Sequence, residues 1–305
     1  MHHIVVIKTM MWMMYQGTGR EDYLITARRG GELLDEALDH FEDLHHDVGF
    51  MWHISSGADY RITGNPKAKQ TNLYMAALLA SRYNINGRFI QAWNGPCKGW
   101  VIIDTMMNIP LLYWASRELD NPRFRYIAMS HADTVIRSHV RTDGSVNHIV
   151  SFDIETGEIL ENIAGQGYEL GSSWSRGQAW ALYGFTMSYL HTRNNKYLGV
   201  ACRIADRFIE RIPENYHIPV DFDQPYECAW EDSSAAAIAA CGLLKLSECV
   251  HYESEKKNYK NTGEMLLNTL YDELSNWDDS VDYIIDNCSV AYHDKEHNFP
   301  MVYGD

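Results

Sequence analysis

The sequence predicts an all-α protein built as a toroid of repeated helical hairpins, and three observations support this fold class. Strand signals are sparse, whereas apolar residues recur with the helical period along most of the chain. The periodic segments are either amphipathic or apolar on nearly every side, which is typical of outer and buried helices respectively. The two kinds alternate at spacings of roughly 45 to 75 residues, as expected of a repeated helical hairpin.

Each helix is predicted from this alternation. The inner helices contain the apolar segments MMWMMYQ, GFMWHIS, TMMNIPLLYWASREL, RGQAWALYGFTMSYL and SSAAAIAACGLLKLSE. The outer helices contain the amphipathic segments GREDYLITARRGGELLDEAL, NPKAKQTNLYMAALLASRY, NPRFRYIAMSHADTVIRSHV, NNKYLGVACRIADRFIERI and EKKNYKNTGEMLLNTLYDEL. These are five inner and five outer helices, and a closed toroid of six hairpins would need one more of each. An open helical solenoid is the alternative fold that this pattern allows.

In such a toroid the inner helices run parallel, so their N-termini lie at one end. Each N-terminus has unpaired N–H groups and a partial positive charge, and we expect this end to receive a carboxylate. The net charge of −15 argues against nucleic acid and anionic membranes as partners. An acid-binding site would therefore be a local exception to the acidic surface.

Length and composition predict a single α/α-barrel domain over residues 1–305 with a large core, since 46% of the residues are hydrophobic and nine are Trp. No apolar run is long enough to span a bilayer. The six cysteines have no CxxC spacing and are typical of reduced thiols. The N-terminus has no signal-peptide pattern, so we expect a cytoplasmic protein, or a periplasmic one if a signal peptide is missing from this N-terminus.

Asp104, in WVIIDTMMNIP, lies where an apolar stretch meets the start of an inner helix. One interpretation is structural, because Asp is a preferred N-cap residue. The other is catalytic, because apolar neighbours such as Ile103 and Met106 would desolvate the carboxyl and raise its pKa, as a general acid requires. These residues alone leave both interpretations open.

Asp47, in HHDVGF, has three interpretations: a loop turn, a metal site or a catalytic carboxylate. The neighbouring His45 and His46 would diverge by about 100° on a helix. Because this is a poor chelating geometry, the metal site is the least favoured of the three.

Other candidate site residues lie in loops and at helix starts. Arg176 and Trp180 are four residues apart in SSWSRGQAW and share a helical face. A buried Arg at that place would meet either an anionic ligand or a structural Asp. His148 and Gln166, in predicted loops, offer hydrogen bonds for hydroxyl groups. Trp93 is a candidate for stacking against a sugar ring, although most tryptophans at helical spacing belong to a core.

Several common catalytic motifs do not occur in the chain. There is no GxSxG elbow, P-loop, GxGxxG or HExxH sequence. Serine hydrolase, nucleotide-binding and zincin functions therefore have no support.

A series of motifs resembles a known family. HHDVGF, YRITGNP, IIDTMMNIPLLYWAS, DGSVNHIVSFD, GQGYELGSSWSRGQAWALYGF and EDSSAAA follow in this order across residues 45–237. Together they resemble the unsaturated glucuronyl hydrolases of glycoside hydrolase family 88, from about Met11 to Asp305. IIDTMMN and SWSRGQAW are the most specific motifs. The unsaturated rhamnogalacturonyl hydrolases share the barrel but differ after the catalytic Asp, so we place them second.

The resemblance implies an (α/α)6 barrel and a hydrolase that removes a 4,5-unsaturated uronic acid from the non-reducing end of polysaccharide-lyase products. Its partners would be unsaturated uronyl oligosaccharides, and no metal or organic cofactor is implied. The resemblance implies that Asp104 is the general acid/base and Asp47 the second essential carboxylate. The implied substrate-contacting residues are His46, Trp93, His148, Gln166, Arg176 and Trp180.

Three departures from the family pattern lead to further expectations. Relatives carry an outer helix before the first inner one, and they continue into a last inner helix where this chain stops at NFPMVYGD. We therefore expect a chain truncated at both ends, without the first outer and last inner helix, and self-association through exposed apolar faces. Glu231 stands where relatives tend to have a basic residue. A truncated homologue that binds uronates without turnover is the alternative function.

Overall fold

The computed structural model describes residues 2–301, with side chains from Thr9 onwards, and these residues are mainly helical. The inner helices are α1 (His2–Thr18), α3 (Val48–His53), α6 (Pro110–Glu118), α8 (Ser175–Thr192) and α10 (Ser233–Ser247). The outer helices are α2 (Glu21–Asp35), α5 (Pro66–Ser81), α7 (Arg123–Ser138), α9 (Asn195–Arg211) and α11 (Glu253–Glu273). A short helix, α4 (Ser56–Thr63), follows α3. All ten predicted helical segments are therefore helical in the described residues.

The inner helices pack side by side in chain order. Contacts join α1 to α3, α3 to α6, α6 to α8, and α8 to α10. The outer helices α2, α7, α9 and α11 each pack on the inner helix that precedes them. One core runs through both layers and buries large side chains such as Trp52, Leu112, Phe185, Phe208 and Leu243. The alternation predicted from periodicity thus corresponds to two helical layers.

Two of the outer helices, α5 and α9, begin where an asparagine provides a cap. The side chain of Asn65 accepts a hydrogen bond from the Lys67 amide, and Pro66 occupies the first position of α5. Asn194 caps α9 in the same way through the Lys196 amide. The NP and NN turns therefore fix where these helices start.

The described residues also contain five short strands: β1 (Tyr83–Asn84), β2 (Phe89–Ile90), β3 (Trp100–Ile102), β4 (Ile149–Phe152) and β5 (Ile159–Ile163). Strands β3, β4 and β5 form an antiparallel sheet in which Ile102 is paired with Ile149. The amide of Ile103 also donates to the carbonyl of His148, 3.0 Å away. This sheet was not predicted, and its register places the residues that follow β3 beside those that precede β4.

The two ends of the chain bear on the expected truncation. Between Glu273 and Met301 the described chain has no helix, and its loops return to the inner-helix N-termini. The last residues of NFPMVYGD lie outside the described residues, so the absence of two helices stays a prediction. Among the helices described, none has the length and apolar character required to cross a membrane.

Candidate active site

The ends of four inner helices bring the candidate residues together. Asp47 directly precedes α3, Asp104 lies shortly before α6, Arg176 is in the first turn of α8, and Asp232 directly precedes α10. Asp47 and Arg176 are both close enough to change the pKa of Asp104, and Arg176 is paired with Asp232. The site is therefore built at the N-terminal ends of parallel helices, where an anionic ligand is favoured.

Asp104 lies in a 3₁₀ turn, Ile103–Met107, that joins β3 to α6. The N-cap of α6 is Ile109, so the interpretation of Asp104 as the cap of this helix is wrong. Oδ1 of Asp104 is buried and accepts no hydrogen bond from the described residues. A buried acceptor without a donor is costly when ionised, which favours the protonated carboxyl.

The pKa of Asp104 is raised to about 7. Burial is the largest cause, the negative charge of Asp47 adds to it, and the positive charge of Arg176 opposes it. This carboxyl can therefore hold a proton and release it near neutral pH, which is the property that acid/base catalysis requires.

His148 faces Asp104 in a defined protonation state. Its Nδ1 lies 2.9 Å from the backbone N–H of Gln166, a donor, and 3.3 Å from the Ala164 carbonyl, an acceptor. Because the donor is nearer, Nδ1 accepts a hydrogen bond, and we assign the ring proton to Nε2. Burial lowers the pKa of His148 to about 3, which makes the ring neutral at physiological pH. Nε2 lies 3.8 Å from Oδ1 of Asp104, too far for a hydrogen bond. The neutral ring thus presents an N–H group toward the acid, beside a gap in which an oxygen atom of a ligand would find a donor.

The Asp47 carboxylate is held by side chains rather than by the helix that follows it. Its side chain does not cap α3. Oδ1 instead lies 3.3 Å from Nδ2 of Asn108 and 3.2 Å from Nε2 of His46. The Nδ1 atom of His46 lies 3.0 Å from the carbonyl of Ala92. His46, predicted to contact substrate, is thus buried behind Asp47 with both nitrogens facing protein acceptors.

The argument against a metal site assumed that His45 and His46 lie in a helix, and this premise is wrong. His45 and His46 lie before α3 begins, and ligand atoms of His45, His46 and Asp47 lie within 4.8 Å of one another. Because His46 already contacts Ala92 and Asp47, we assign no metal to this cluster. The absence of a metal stays a prediction.

Arg176 has the structural partner that was one of its two predicted interpretations. Its Nε donates to Oδ2 of Asp232 at 2.8 Å, and its Nη2 donates to the carbonyl of Ser289. The side chain is buried, and its guanidinium lies over the ring of Trp174. Arg176 therefore acts on Asp104 through its charge. Direct contact with substrate stays a prediction.

The remaining predicted residues line the same region. Trp180 is half-buried and packs edge-on against Phe50, with ring centroids 5.9 Å apart. Trp93 is half-buried and packs against His46 in the same manner. The side chain of Gln166 donates to the carbonyl of Val290 at 2.7 Å. The two rings are thus joined to the site through His46 and Phe50. The roles of Trp93, Trp180 and Gln166 toward substrate stay predictions.

Two residues of the site were not singled out from the sequence. Asn108 is buried and lies between the two acids, with Nδ2 contacting Oδ1 of Asp47 and the backbone carbonyl of Asp104. Asp232 is the buried partner of Arg176. Both belong to quoted motifs, IIDTMMN and EDSSAAA. A polar residue at an apolar helix start was the signal that would have identified them.

Comparison with known proteins agrees with this geometry. The family model described as Glycosyl Hydrolase Family 88 matches residues 2–273. The unsaturated glucuronyl hydrolase of Bacillus sp. (strain GL1) is 36% identical over 279 residues, which cover 88% of this chain and 73% of that protein. The unsaturated chondroitin disaccharide hydrolase of Streptococcus pneumoniae is 31% identical over 273 residues, covering 87% of this chain and 69% of that protein.

Solved structures show the same likeness. The crystal structure of the Bacillus sp. GL1 unsaturated glucuronyl hydrolase has a TM-score of 0.93 at 32% identity, covering 98% of this chain and 81% of that chain. A structure described as an unsaturated glucuronyl hydrolase specific for heparin has a TM-score of 0.90 at 31% identity, covering 99% and 82%. The predicted (α/α)6-barrel fold is confirmed, and the open solenoid is discarded. The chain belongs to glycoside hydrolase family 88, the family of the unsaturated glucuronyl hydrolases.

Proposed function

We propose that this protein is a hydrolase that releases 4,5-unsaturated uronic acid from the non-reducing end of oligosaccharides produced by polysaccharide lyases. The observation that carries the proposal is the Asp104 carboxyl, which is buried, lacks a hydrogen bond at Oδ1 within the described residues and has a pKa of about 7. Such a group holds a transferable proton at neutral pH. Family membership supplies the substrate class.

The substrate has a C4=C5 double bond that is conjugated to the C5 carboxylate and bonded to the ring oxygen. The carboxyl of Asp104 gives its proton to C4, and positive charge develops at C5 and is shared with the ring oxygen. The Asp104 carboxylate then takes a proton from a water molecule whose oxygen bonds to C5. One carboxyl thus acts first as acid and then as base, which is unlike the two-carboxylate displacement of most glycosidases.

The product of hydration is a hemiketal at C5. Its ring C5–O bond breaks, which leaves a C5 ketone and a hemiacetal at C1. This hemiacetal expels the rest of the oligosaccharide as an alcohol and becomes an aldehyde. A saturated sugar has no C4=C5 bond to protonate, so it should not react.

The neighbours of Asp104 support these two steps. The negative charge of Asp47 raises the pKa of Asp104 and would also stabilise the positive charge at C5. The neutral His148 directs its Nε2–H toward Asp104, where it would donate to a substrate hydroxyl or to the attacking water. The N-terminal ends of α3, α6, α8 and α10 favour the anionic uronate.

The test follows the ultraviolet absorbance of the conjugated double bond in unsaturated chondroitin, heparin and ulvan disaccharides. Hydration removes this absorbance, and we expect it to decrease with at least one substrate. Asp104→Asn should lower kcat/KM by about 10³-fold or more, because the proton donor and the base are both lost. The variant Asp153→Asn is the control and should retain parental activity, because it changes a partly exposed turn carboxylate whose Oδ1, an atom that Asn keeps, accepts from the backbone amides of Glu155 and Thr156. The enzyme proposal fails if no substrate loses absorbance, or if Asp104→Asn equals the parent.

A truncated homologue that only binds uronates is the second function, and the same assay distinguishes it. This function would give binding of an unsaturated disaccharide in calorimetry without any loss of absorbance. The expected self-association also stays a prediction. Met13 and Met14 of α1 are exposed apolar side chains, and sedimentation velocity over a range of concentrations would test it. A cytoplasmic or periplasmic location is likewise a prediction.

A further inference from the structure

We propose that Asn108 is a positioning residue of the reaction, which holds the Asp47 carboxylate at Asp104, and that Gly49 makes this bridge sterically possible. The inference rests on the proposed function and deepens it. Asn108 itself is placed between the two acids rather than toward substrate, so it would act through Asp47 and Asp104.

The first observation is the set of contacts that the Asn108 side chain makes. Nδ2 lies 3.3 Å from Oδ1 of Asp47 and 3.2 Å from the backbone carbonyl of Asp104. Oδ1 accepts a hydrogen bond from the Phe50 amide at 2.6 Å. One amide group thus connects the turn that carries Asp104 to the start of the helix that carries Asp47. An amide supplies two donors and an acceptor, and this geometry uses both kinds of atom.

The second observation is the close approach of α3 to Asn108. A Cβ atom built on Gly49 would lie 2.5 Å from the backbone oxygen of Asn108 and 2.7 Å from its Cβ. No side chain fits at these distances, so α3 could not lie this close to the turn with any residue other than Gly at position 49. Gly49 of HHDVGF and Asn108 of IIDTMMN therefore form one close contact, which joins the two motifs.

The third observation is that the turn carrying Asp104 is fixed on its opposite side as well. A Cβ on Gly184 of α8 would lie 2.5 Å from Cβ of Met106, and a Cβ on Gly177 would lie 3.3 Å from Ile103. The turn is thus enclosed between α3 and α8. Asp104 is fixed by this packing, and Asn108 and His46 together locate the Asp47 carboxylate. The location of Asp47 determines how strongly the two acids interact.

The physical consequence has a defined sign. With Asn108 in place, the Asp47 carboxylate is ionised beside Asp104 and keeps the proton on Asp104 to higher pH. Without the amide, Asp47 loses a donor that stabilises its charge, and it loses the contact that joins it to the turn of Asp104. Both changes lower the proton affinity of Asp104, so the alkaline limb of the activity profile should move to lower pH.

The experiment compares three variants of the full chain. Asn108→Leu keeps the approximate size but removes the hydrogen bonds, and Asn108→Asp keeps the shape but adds a negative charge. The matched control is Asn72→Leu, which replaces another fully buried asparagine, on α5, whose Nδ2 contacts His53. The measurements are kcat and KM against pH for a disaccharide that the parent consumes, the melting temperature, and titration of the Asp104 carboxyl by ¹³C NMR.

We expect Asn108→Leu to lower kcat by about 10- to 100-fold with KM changed by less than about threefold, because orientation is lost rather than binding. Its alkaline limb and its Asp104 titration should move down by about 0.5 to 1 pH unit, and those of Asn108→Asp should move up. Asn72→Leu should change the melting temperature without moving either. Opposite shifts in the two variants are the result that a purely structural role would not give.

Each outcome decides the question. If the parent is active and both Asn108 variants keep the parental profile and titration, the positioning role is overturned while the proposed function stands. If no substrate is consumed but the titration shifts in opposite directions, the bridge is upheld and the proposed function fails. Should Asn108→Leu not fold, the nearly isosteric Asn108→Asp keeps both measurements possible.

Discussion

Two aspartates at the same end of the barrel have very different surroundings. In the Asp232 corner (Arg176, Asp232 and Ser234), one carboxylate oxygen accepts from Arg176 at 2.8 Å and the other from the Ser234 hydroxyl at 2.6 Å. In the Asp104 corner (Asp47, Asp104 and His148), Oδ1 of Asp104 is buried with no donor among the described residues, and Nε2 of His148 is 3.8 Å away.

The difference shows that a position before an inner helix does not by itself give an aspartate a raised pKa. Both residues precede an inner helix, but Asp232 is fully buried, whereas Asp104 is 22% exposed with a buried Oδ1. Pairing stabilises the charge in the Asp232 corner, whereas the charged form is disfavoured in the Asp104 corner, where the pKa rises to about 7. The first corner holds the loops around the site together, and the second corner retains an unsatisfied group for chemistry.

The largest expected effect on the free energy of unfolding comes from removing the ion pair of the Asp232 corner. Asp232→Asn leaves the buried Arg176 guanidinium without its counter-charge, and we expect a loss of about 3 to 5 kcal/mol in the free energy of unfolding. Urea denaturation at pH 7 measures it. The control is Glu253→Gln, which removes an exposed pair with Lys256 and should cost less than about 1 kcal/mol. Equal effects in the two variants would show that the Asp232 corner is not a structural support.

The Asp104 corner should respond in the opposite direction. The unfolded Asp104 carboxyl titrates near 3.8 and the folded one near 7, so the unfolded state releases its proton at lower pH. The folded protein thus loses stability between these values, and the loss is complete above pH 7. Asp104→Asn removes this penalty and should stabilise the protein by about 1 to 3 kcal/mol at pH 8, with no gain near pH 4.

Urea denaturation of the parent and of Asp104→Asn at both pH values provides the measurement. The expected gain in the free energy of unfolding is smaller than the full pKa difference would give, because the Asp104 side chain is 22% exposed and solvent screens its charge. A gain of the same size at pH 4 would mean that packing rather than ionisation explains the change, and the contrast between the two corners would lose its electrostatic basis.

A smaller effect concerns the charge of Asp47. The proposed mechanism requires protonated Asp104, so kcat/KM of the parent should fall about tenfold per pH unit above pH 7. Asp47→Asn removes a charge that raises the pKa of Asp104, and the alkaline limb of its residual activity should move down by about 0.5 to 1 unit. A pH–rate profile of each protein tests this. An unchanged limb would assign the raised pKa to burial alone.

The smallest effect lies beside the Asp232 corner, at His217. Its Nδ1 lies 3.1 Å from Glu231 and its Nε2 lies 3.2 Å from Glu273. Burial would lower the pKa of His217, but the hydrogen bonds and charges of the two glutamates raise it above 6.5 overall. The stabilisation is complete below pH 6.5 and is lost as the pH rises through the raised value.

His217→Gln should therefore cost about 0.5 to 1 kcal/mol at pH 6 and close to nothing at pH 9. Melting temperatures of the parent and the variant over this pH range measure the difference. A cost that does not change with pH would mean that the ring contributes by packing instead of by charge. Glu231, which stands where relatives tend to have a basic residue, has in this chain a histidine partner.

Much of the fold followed from local patterns. The apolar residues of segments such as SSAAAIAACGLLKLSE predicted a buried helix, and α10 (Ser233–Ser247) is one. The short sheet was missed because β3 has only three residues, Trp100–Ile102. An apolar run this short has no period that distinguishes a strand from the segment leading into a buried helix. Its pairing with β4 is a long-range feature that periodicity does not contain.

The sequence by itself determined the alternation of helices and the family, and it predicted the two aspartates as site residues, because helical period and motif order are properties of neighbouring residues. Only the tertiary structure decided the surroundings of those aspartates. Asp47 meets Asn108 across 61 positions, and Arg176 meets Asp232 across 56. Whether a buried carboxyl is paired or unpaired depends on such distant partners. The proton on Asp104 is therefore set by three-dimensional packing and charge, which no local pattern specifies.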